Sequence, residues 1–442
     1  MNRLAAQQRN DWNVSEDKTM SRELARVEEI EEALDERISD RARPIPRISI
    51  QAFCERPETA DAIQVAAEDR RLIKTHVSVH MGGVQAAVAH YAESPTPNLI
   101  IIESTLAQRE FLAELDRLAE TCDAGTKVIV IGHANDVALY REVLRRGVSE
   151  YLIAPITPLQ LMESLSSLYN DPQSDPVGHV YAFVGAKGGV GSSTICHNVA
   201  WTISEMMKQS VVIADLDLPF GTAGLDFNQD PMQGIADAIS TPERLDEVLL
   251  DRLLTKCSEY LSIFAAPGAL DREYDLSADA CDIVLDVVRQ NVPYVALDVP
   301  HMWTEWTKRL VLNADGVVIT AAPDLANLRN AKNMFDLIKQ ARHNDKPPML
   351  VLSTVGVPKR PEISVKDFES AMGTKVAAII EFDVETFGQA ANNGQMIEEM
   401  TPKAKAVPAI HEIAMALTGR REPKAEKKSP LGPLLEKLRL KR

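Results

Sequence analysis

The chain has 442 residues, of which 45% are hydrophobic and 25% are charged, and these proportions predict a folded protein of two or three domains. Acidic residues number 64 against 48 Lys and Arg, so the formal net charge of -16 argues against nucleic acid as a partner. The five cysteines include no C-x-x-C pair, so the sequence indicates neither a disulfide framework nor a metal–sulfur site, and we expect a reducing, cytoplasmic location. Neither a signal peptide nor a membrane-spanning run is expected.

The first predicted element is a polar, mobile arm over residues 1–44, which contains one amphipathic helical pattern, VEEIEEALDERI. Over residues 45–169, five short aliphatic runs then alternate with five helical patterns. The runs are RISIQAF, THVSVH, NLIIIES, KVIVIG and EYLIAPI. This alternation predicts an α/β domain with a parallel sheet that is covered by helices on both faces, that is, a doubly wound domain.

The second predicted domain covers residues 179–419 and follows a linker at residues 170–178, NDPQSDPVG, which is rich in turn formers. Its expected strands are HVYAFVGA, SVVIADLDL, LSIFAAP, YVALDVP, GVVITAAP and PMLVLSTV, so it is again a doubly wound α/β domain. Residues 420–442 hold nine Lys or Arg against three Glu. This basic tail is compatible with a short helix on an anionic membrane face, or with a solvated end that makes no contact.

A phosphate-binding loop is predicted by the stretch FVGAKGGVGSST, in which an apolar run passes into a Gly-rich loop that opens onto a helical pattern. Glycines let backbone amides approach phosphate oxygens, and the following helix contributes its positive end. Ser193 and Thr194 stand where a hydroxyl binds Mg²⁺ or caps the helix. The predicted nucleotide-binding residues are Lys187, Gly188, Gly189, Val190, Gly191, Ser192, Ser193 and Thr194.

The loop lacks the lysine of the general P-loop pattern, because Ser192 follows Gly191 where that pattern has G-K-[ST]. Amides, the helix end, Mg²⁺ and Lys187 still face a triphosphate, so nucleotide binding is expected to survive. A cation on the transferred phosphoryl group is typically worth ~10²-fold in rate or more. We therefore expect a weak ATPase at most.

The loop resembles the deviant Walker A loop of the ParA/MinD superfamily, K-G-G-x-G-K-[ST], over a stretch of similarity from about residue 180 to 419. The resemblance implies that Lys187 reaches the nucleotide of a partner subunit. It also implies that Asp217, after the strand containing Asp215, orients the attacking water, and that Asp298 in YVALDVP is the Walker B carboxylate. Mg²⁺ would be held by Ser193, Asp217 and Asp298, partly through water. The alternative for each aspartate is a helix cap or an ordinary loop residue.

Base recognition is expected in the segment IIEFDVETFGQAANNGQMI, which resembles the late loop of the superfamily. Family members commonly place an Asn at the end of the sixth strand, whereas this chain has Ser353 and Thr354 there. Adenine recognition would then use backbone groups near Phe382 and Asp383. ATP is the expected nucleotide, with GTP left open.

The first domain resembles the receiver domain of response regulators near RRGVSEYLIAPIT, but Ala154 stands where receivers have Lys before Pro155. At the acidic-pair, phosphoacceptor and hydroxyl positions the chain offers Glu55, Glu103 and Gly132. We therefore expect no phosphorylation and interpret the domain as a pseudo-receiver used for docking. Another flavodoxin-like domain remains the alternative.

An atypical receiver followed by a lysine-less deviant Walker loop is similar to the TadZ/CpaE proteins of tight-adherence (Flp) pilus assembly. That resemblance implies an ATP-dependent homodimer which is recruited to a cell pole or the inner membrane face and binds pilus secretion-system proteins. Alternatives are a partition or division-site ATPase that cycles on membrane or nucleoid, and a response regulator with an ATPase output. His197 and His301 are expected to be neutral packing residues rather than catalytic groups.

Overall fold

A computed structural model describes residues 44–419 of the protein, except residues 47, 124, 170–176, 271–273 and 275. The predicted basic tail, nearly all of the predicted arm and most of the predicted linker thus lie outside the described residues. The chain divides into two compact units between residues 174 and 175, and residues 342–346 group with the first unit. Within the described ranges, no helix combines the length and apolar character needed to cross a membrane.

Within its described residues, the first unit contains one sheet and five longer helices. Its strands are β1 (Ser49–Cys54), β2 (His76–Met81), β3 (Leu99–Ser104), β4 (Lys127–Gly132) and β5 (Glu150–Ile153). Its helices are α1 (Pro57–Ala67), α2 (Gly83–Tyr91), α3 (Gln108–Ala119), α4 (Val137–Arg145) and α5 (Pro158–Tyr169). All strand pairs are parallel, in the order β2-β1-β3-β4-β5. This is the flavodoxin-like order, and it confirms the predicted fold class.

Strand β3 shows why the first unit folds this way, because each of its residues is buried. Leu99 and Ile101 pack into the core that α1 and α5 cover, whereas Ile100 and Ile102 pack into the core beneath α2, α3 and α4. Alternate side chains of a strand point to opposite faces. A continuous aliphatic run is therefore what a central parallel strand with helices on both faces requires.

The second unit is built on an eight-stranded sheet. Its strands are β6 (His179–Gly185), β7 (Val211–Asp215), β8 (Thr255–Lys256), β9 (Leu261–Phe264), β10 (Tyr294–Val299), β11 (Gly316–Ala321), β12 (Met349–Val355) and β13 (Ala378–Glu381). The order is β13-β12-β11-β6-β10-β7-β9-β8, and only the pair β8–β9 is antiparallel. The arrangement confirms the expected P-loop type of α/β fold.

Eleven α-helices accompany this sheet in the described part of the chain. They are α6 (Ser192–Met207), α7 (Ala223–Asp226), α8 (Ile235–Ser240), α9 (Glu247–Leu253), α10 (Ala278–Asn291), α11 (Glu305–Asn313), α12 (Leu325–Ala341), α13 (Val365–Met372), α14 (Val384–Asn393), α15 (Ile397–Met400) and α16 (Ala406–Thr418).

Two strands, β8 and β13, were not among the six predicted for this unit. The expectation of a loop over the start of IIEFDVETFGQAANNGQMI was wrong, because β13 ends there and α14 follows after two residues. Both missed strands are edge strands of four residues or fewer, too short for a period-2 pattern to be recognised.

The carboxyl ends of three neighbouring strands define the site. In the sheet, β6 lies between β10 and β11, and β7 lies on the far side of β10. Asp298 of β10 pairs in register with Phe183 of β6 and Asp215 of β7. The loops that follow β6, β7 and β10 therefore meet at one edge, where ligands bind in sheets of this kind.

Candidate nucleotide site

The Gly-rich loop joins the end of β6 at Gly185 to α6, which begins at Ser192. Gly189 and Gly191 have left-handed φ values of 78° and 84°, which side-chain-bearing residues rarely adopt. A Cβ on Gly188 or Gly189 would meet no described atom within 4 Å. The loop therefore presents an open backbone surface in front of a helix N-terminus, as a phosphate requires.

Ser192 is the first residue of α6 and takes the place where the general P-loop has lysine. Its Oγ is buried and makes no hydrogen bond to any residue that the structure describes. Ser193 and Thr194 follow in the first turn and are half-buried. The loop thus has its backbone and hydroxyl groups in place, with a short polar side chain where a long cation is usual.

Two side chains that the sequence analysis did not place at the site hold the beginning of the loop. His301 Nδ1 donates to the Gly185 carbonyl at 2.9 Å, and Asn330 Nδ2 donates to the Ala186 carbonyl at 2.9 Å. His301 therefore contacts the backbone of the loop. Asn330 lies on α12, 144 residues from its partner, and no local pattern indicates such a contact.

Asp215 and Asp298 form a buried carboxylate pair at the ends of β7 and β10. Asp215 accepts hydrogen bonds from the amides of Ala223 at 3.0 Å and Asp217 at 3.2 Å. Burial and the neighbouring Asp298 carboxylate raise the pKa of Asp215 to about 7, against the opposing effects of His197 and the two amides. Burial, assisted by Asp298, also raises the pKa of Asp217. Negative charge is thus crowded at the ends of β7 and β10.

The chain turns tightly over Asp215 after β7. A Cβ on Gly221 would overlap both carboxylate oxygens of Asp215 and the side chain of Ala266. Glycine is therefore required at position 221 for the loop to close on that carboxylate. Asp217 Oδ1 accepts from the Phe220 amide at 3.3 Å, so Asp217 also shapes this turn.

His197 is completely buried on α6 and lies between two carboxylates. Its Nδ1 donates to Asp226 Oδ2 at 2.7 Å, and its Nε2 lies 3.4 Å from Asp298 Oδ2. Burial opposes the charged imidazole, but Asp226 and Asp298 outweigh it and raise the pKa of His197 to about 10. The expectation of a neutral packing histidine was therefore wrong for His197, because its partners lie 29 and 101 residues away in sequence.

Lys187 is exposed at the start of the loop. Burial opposes the ionisation of Asp324, at the start of α12, but hydrogen bonds from Asn327 and the charge of Lys187 together lower the pKa of Asp324. Lys187 is thus near enough to α12 to influence that carboxylate and is not enclosed within the site.

The predicted base-recognition residues lie immediately after β13. Phe382 is partly exposed, and its amide donates to the Val355 carbonyl at 2.8 Å. Asp383 caps α14 by accepting from the Thr386 amide at 3.0 Å. Ser353, near the end of β12, is buried, and its Oγ would lie 3.6 Å from a Cβ on Gly191. Ser353 therefore borders the phosphate loop.

In the first unit, Glu103 is fully buried and saturated with hydrogen bonds. It accepts from the Glu55 and Arg56 amides at 2.8 and 2.9 Å and from Thr59 Oγ1 at 2.7 Å, and His133 Nε2 lies 3.1 Å away. Burial opposes the charge, but these contacts together lower the pKa of Glu103. These contacts occupy both oxygens of the carboxylate, so neither is free to attack a phosphodonor.

Gly132 ends β4 at the position where receivers carry a hydroxyl. A Cβ there would overlap the Tyr151 ring and hydroxyl. Tyr151 is buried, and its hydroxyl donates to the Ala134 carbonyl at 2.9 Å. The tyrosine thus occupies the space that a Ser or Thr side chain would need.

The second unit fits a magnesium-bound nucleotide on three observations: the open loop, the buried carboxylate pair and the unpartnered Ser192 Oγ. A divalent cation would relieve the repulsion between Asp215 and Asp298. No group of three or more His, Cys, Asp or Glu among the described residues could hold a metal by itself. Phosphate oxygens and waters would therefore have to complete the coordination shell, as is usual for Mg²⁺.

No protein-family model matches the chain. Over 261 residues it is 24% identical to the septum site-determining protein MinD of Bacillus subtilis, with 56% of this chain and 91% of that protein covered. It is 51% identical to the pilus assembly protein CpaE of Caulobacter crescentus, whose crystal structure it matches with TM-score 0.29 over 29% of this chain and 98% of that chain. For the CpaE2 pilus assembly protein of Sinorhizobium meliloti the identity is 40%, the TM-score 0.27, and the coverage 27% and 99%.

The fold, the Gly-rich loop and the MinD similarity define an ATPase of the ParA/MinD type. Because it is 51% identical to the Caulobacter protein over nearly all of that chain, the protein belongs to the CpaE-type members of the ParA/MinD superfamily.

Proposed function

We propose that the chain is an ATP-binding localisation and assembly factor for a tight-adherence pilus secretion system. It acts in the cytoplasm as a nucleotide-dependent homodimer that is recruited to a cell pole or the inner membrane face and binds pilus secretion-system proteins. The support is the 51% identity to a protein described as a pilus assembly protein, together with a nucleotide site built as described above. The basic tail is the segment proposed to contact the membrane face.

The proposed roles at the site follow the position of each group. Amides of residues 188–191 and the start of α6 bind the phosphates. Ser193, Asp217 and Asp298 hold Mg²⁺, partly through water, and Asp217 also orients the attacking water. Bound Mg²⁺ would neutralise charge on the transferred phosphoryl group. Phe382 and Asp383 border the base, and the exposed Lys187 reaches the nucleotide of a second copy.

We expect slow hydrolysis on the basis of one observation: Ser192 replaces the usual lysine inside an otherwise intact loop. Loss of such a stabilising group typically costs ~10²-fold in rate, about 2.7 kcal/mol of transition-state stabilisation. ATP binding persists because the backbone donors remain. A protein of this kind stays in its ATP-bound state for a long time, which suits assembly of a stable structure.

Ser192→Lys tests the proposal directly. The expected result is a rise in steady-state ATP hydrolysis of about 10²-fold, because the cation is restored beside the phosphates. Phosphate release measures the rate, and titration calorimetry with ATP measures affinity. Ser192→Ala is the matched control and should hydrolyse like the wild type. An unchanged rate with unchanged affinity in Ser192→Lys would refute the assigned role of position 192.

Dimerisation is tested with Lys187→Ala. We expect loss of the ATP-dependent dimer in light scattering, since the lysine would no longer reach the second nucleotide. Lys208→Ala, just beyond the other end of α6, removes another exposed lysine and should dimerise normally. Dimerisation of Lys187→Ala at the wild-type ATP concentration would contradict the role of Lys187.

The cellular role is tested by deleting the gene and counting surface pili, with complementation by the wild type, Lys187→Ala and Asp298→Ala. Loss of pili that only the wild-type gene restores is expected. Normal piliation in the deletion strain would overturn the assignment.

A partition or division-site ATPase is the second candidate, and the MinD similarity over 91% of that protein favours it. It would require appreciable hydrolysis by the wild-type chain, together with a segregation or septation defect on deletion. The absence of the loop lysine argues against it.

A further inference from the structure

His197 connects three elements of the nucleotide unit through one buried ring. It lies in the second turn of α6, directly behind the phosphate loop. Nδ1 donates to Asp226 at the end of α7, and Nε2 faces Asp298 at the end of β10. Its position thus joins the proposed Walker B carboxylate to the chain that follows β7.

The contact on the Asp298 side is incomplete. Nε2 is buried, lies 3.4 Å from Asp298 Oδ2 and forms no hydrogen bond within the described part of the chain. Hydrogen bonds of this type are normally about 2.7–3.2 Å long. A small movement of Asp298 would therefore complete the bond, and a buried donor without a partner favours that movement.

The contact on the other side anchors a defined stretch, residues 216–234, which we term the β7–α8 segment. Asp226 also accepts from Thr222 Oγ1 at 3.2 Å, and Asp215 holds the amides of Asp217 and Ala223. Two carboxylates, buried Asp215 and half-buried Asp226, thus fix both ends of the turn around α7. The Asp226 end depends on His197 for its shortest contact.

The same segment also contacts the helix that begins beside the predicted base site. Gly394, after α14, has a φ of 61°, and a Cβ there would lie 2.8 Å from the Leu225 carbonyl and from Asn228 Cβ. The β7–α8 segment is therefore in contact both with α6, which follows the phosphate loop, and with the end of α14, which follows the predicted base site. It exposes three large apolar side chains, since Phe220, Leu225 and Met232 are 68, 72 and 93% exposed.

We propose that His197 is a positioning residue which couples Asp298 to the β7–α8 segment, so that nucleotide and Mg²⁺ bound at Asp298 rearrange the exposed apolar surface of this segment. The proposal rests on the proposed nucleotide-binding function. Engagement of Asp298 by bound Mg²⁺ would change its distance to Nε2. The ring would then shift, and Asp226 would carry α7 with it. Occupancy of the buried site is thereby transmitted to the protein surface.

Hydrogen exchange measured by mass spectrometry on the full chain tests this coupling with ATP·Mg²⁺ and with ATP plus EDTA as the two conditions. In the wild type, Mg²⁺ should alter exchange in residues 216–234 as well as in residues 185–194. His197→Asn keeps a donor at the Nδ1 position but cannot reach Asp298, and His197→Gln keeps one at the Nε2 position but loses Asp226. Both variants should bind ATP·Mg²⁺ and protect the loop, yet lose the Mg²⁺-dependent change in the β7–α8 segment.

The matched control is Ser204→Ala, which removes another buried polar contact of α6, the bond from Ser204 Oγ to the Trp201 carbonyl. Its segment response should equal that of the wild type. Asp226→Ala, which removes the acceptor of the Nδ1 donor at a side chain that is 19% exposed, tests the same link if a His197 variant does not fold, and it should also lose the response.

The coupling is overturned if the wild-type loop is protected but the segment does not respond, or if the variants respond like the wild type. Failure of ATP·Mg²⁺ to protect residues 185–194 in the wild type would instead overturn the proposed nucleotide function, and the coupling with it.

Discussion

Replacement of Glu103 is expected to destabilise the first unit selectively. Glu103→Ala would leave two amides, the Thr59 hydroxyl and the His133 ring without their carboxylate partner in a fully buried site. Each buried donor left without its acceptor typically costs about 1–3 kcal/mol, so with several donors affected we expect a loss of at least about 3 kcal/mol. Glu103→Gln keeps the shape but presents an amide group to donors, and we expect a loss of about 1–3 kcal/mol.

The pH dependence of the unfolding free energy provides a second, independent test of the role of Glu103. The folded-state pKa of Glu103 lies below its ordinary value of 4.5, because the hydrogen bonds favour the carboxylate. Its contribution to the free energy of unfolding is therefore complete above about pH 4.5 and is lost as the pH falls through the folded-state pKa. Glu103→Gln cannot titrate, so its stability should depend less on pH in this acid range.

The assay must report on the first unit separately from the second. Tryptophan fluorescence cannot do this, because all four tryptophans lie outside residues 45–169: Trp12, Trp201, Trp303 and Trp306. Hydrogen exchange of peptides from β1 and β3 in the intact chain reports local unfolding free energies. Peptides from β6 and β10 serve as the internal control and should not change. A cost below about 1 kcal/mol for Glu103→Ala, or an unchanged acid dependence in Glu103→Gln, would refute the reasoning.

Four further predictions concern contacts and chemistry in the two units. Gly132→Ala should lower the local free energy of unfolding of β4, measured by hydrogen exchange, by about 1–3 kcal/mol, because the added Cβ overlaps Tyr151. An unchanged free energy would show that the tyrosine moves freely. Gly221→Ala should weaken ATP·Mg²⁺ binding in calorimetry, because its Cβ displaces the Asp215 carboxylate; unchanged affinity would contradict this. Asn330→Ala should lower ATP affinity with or without Mg²⁺, because the Ala186 carbonyl loses its donor, and a purely Mg²⁺-dependent effect would refute that assignment. Acetyl phosphate should leave the first unit unlabelled by mass spectrometry.

The sequence was sufficient for the parts of the fold that repeat a pattern. The run Leu99–Ser104 has the continuous aliphatic composition of a central parallel strand, and the glycines around Lys187 have the spacing of a phosphate loop. Edge strand β13 was missed because only four residues, AIIE, form it. Contacts between distant residues were not predictable, since the charge on His197 depends on carboxylates from two other elements. For Glu103, the residue type indicated lost chemistry, but not the four contacts that occupy it.

The Gly132–Tyr151 contact has a consequence for whether the first unit can act as a conformational switch. The Tyr151 ring and hydroxyl fill the space that a hydroxyl-bearing side chain at position 132 would need, so a switch built on such a side chain has no room to move. We therefore expect the affinity of the first unit for a docking partner to stay constant. Under the proposed function, the timing of assembly would then come from the nucleotide unit.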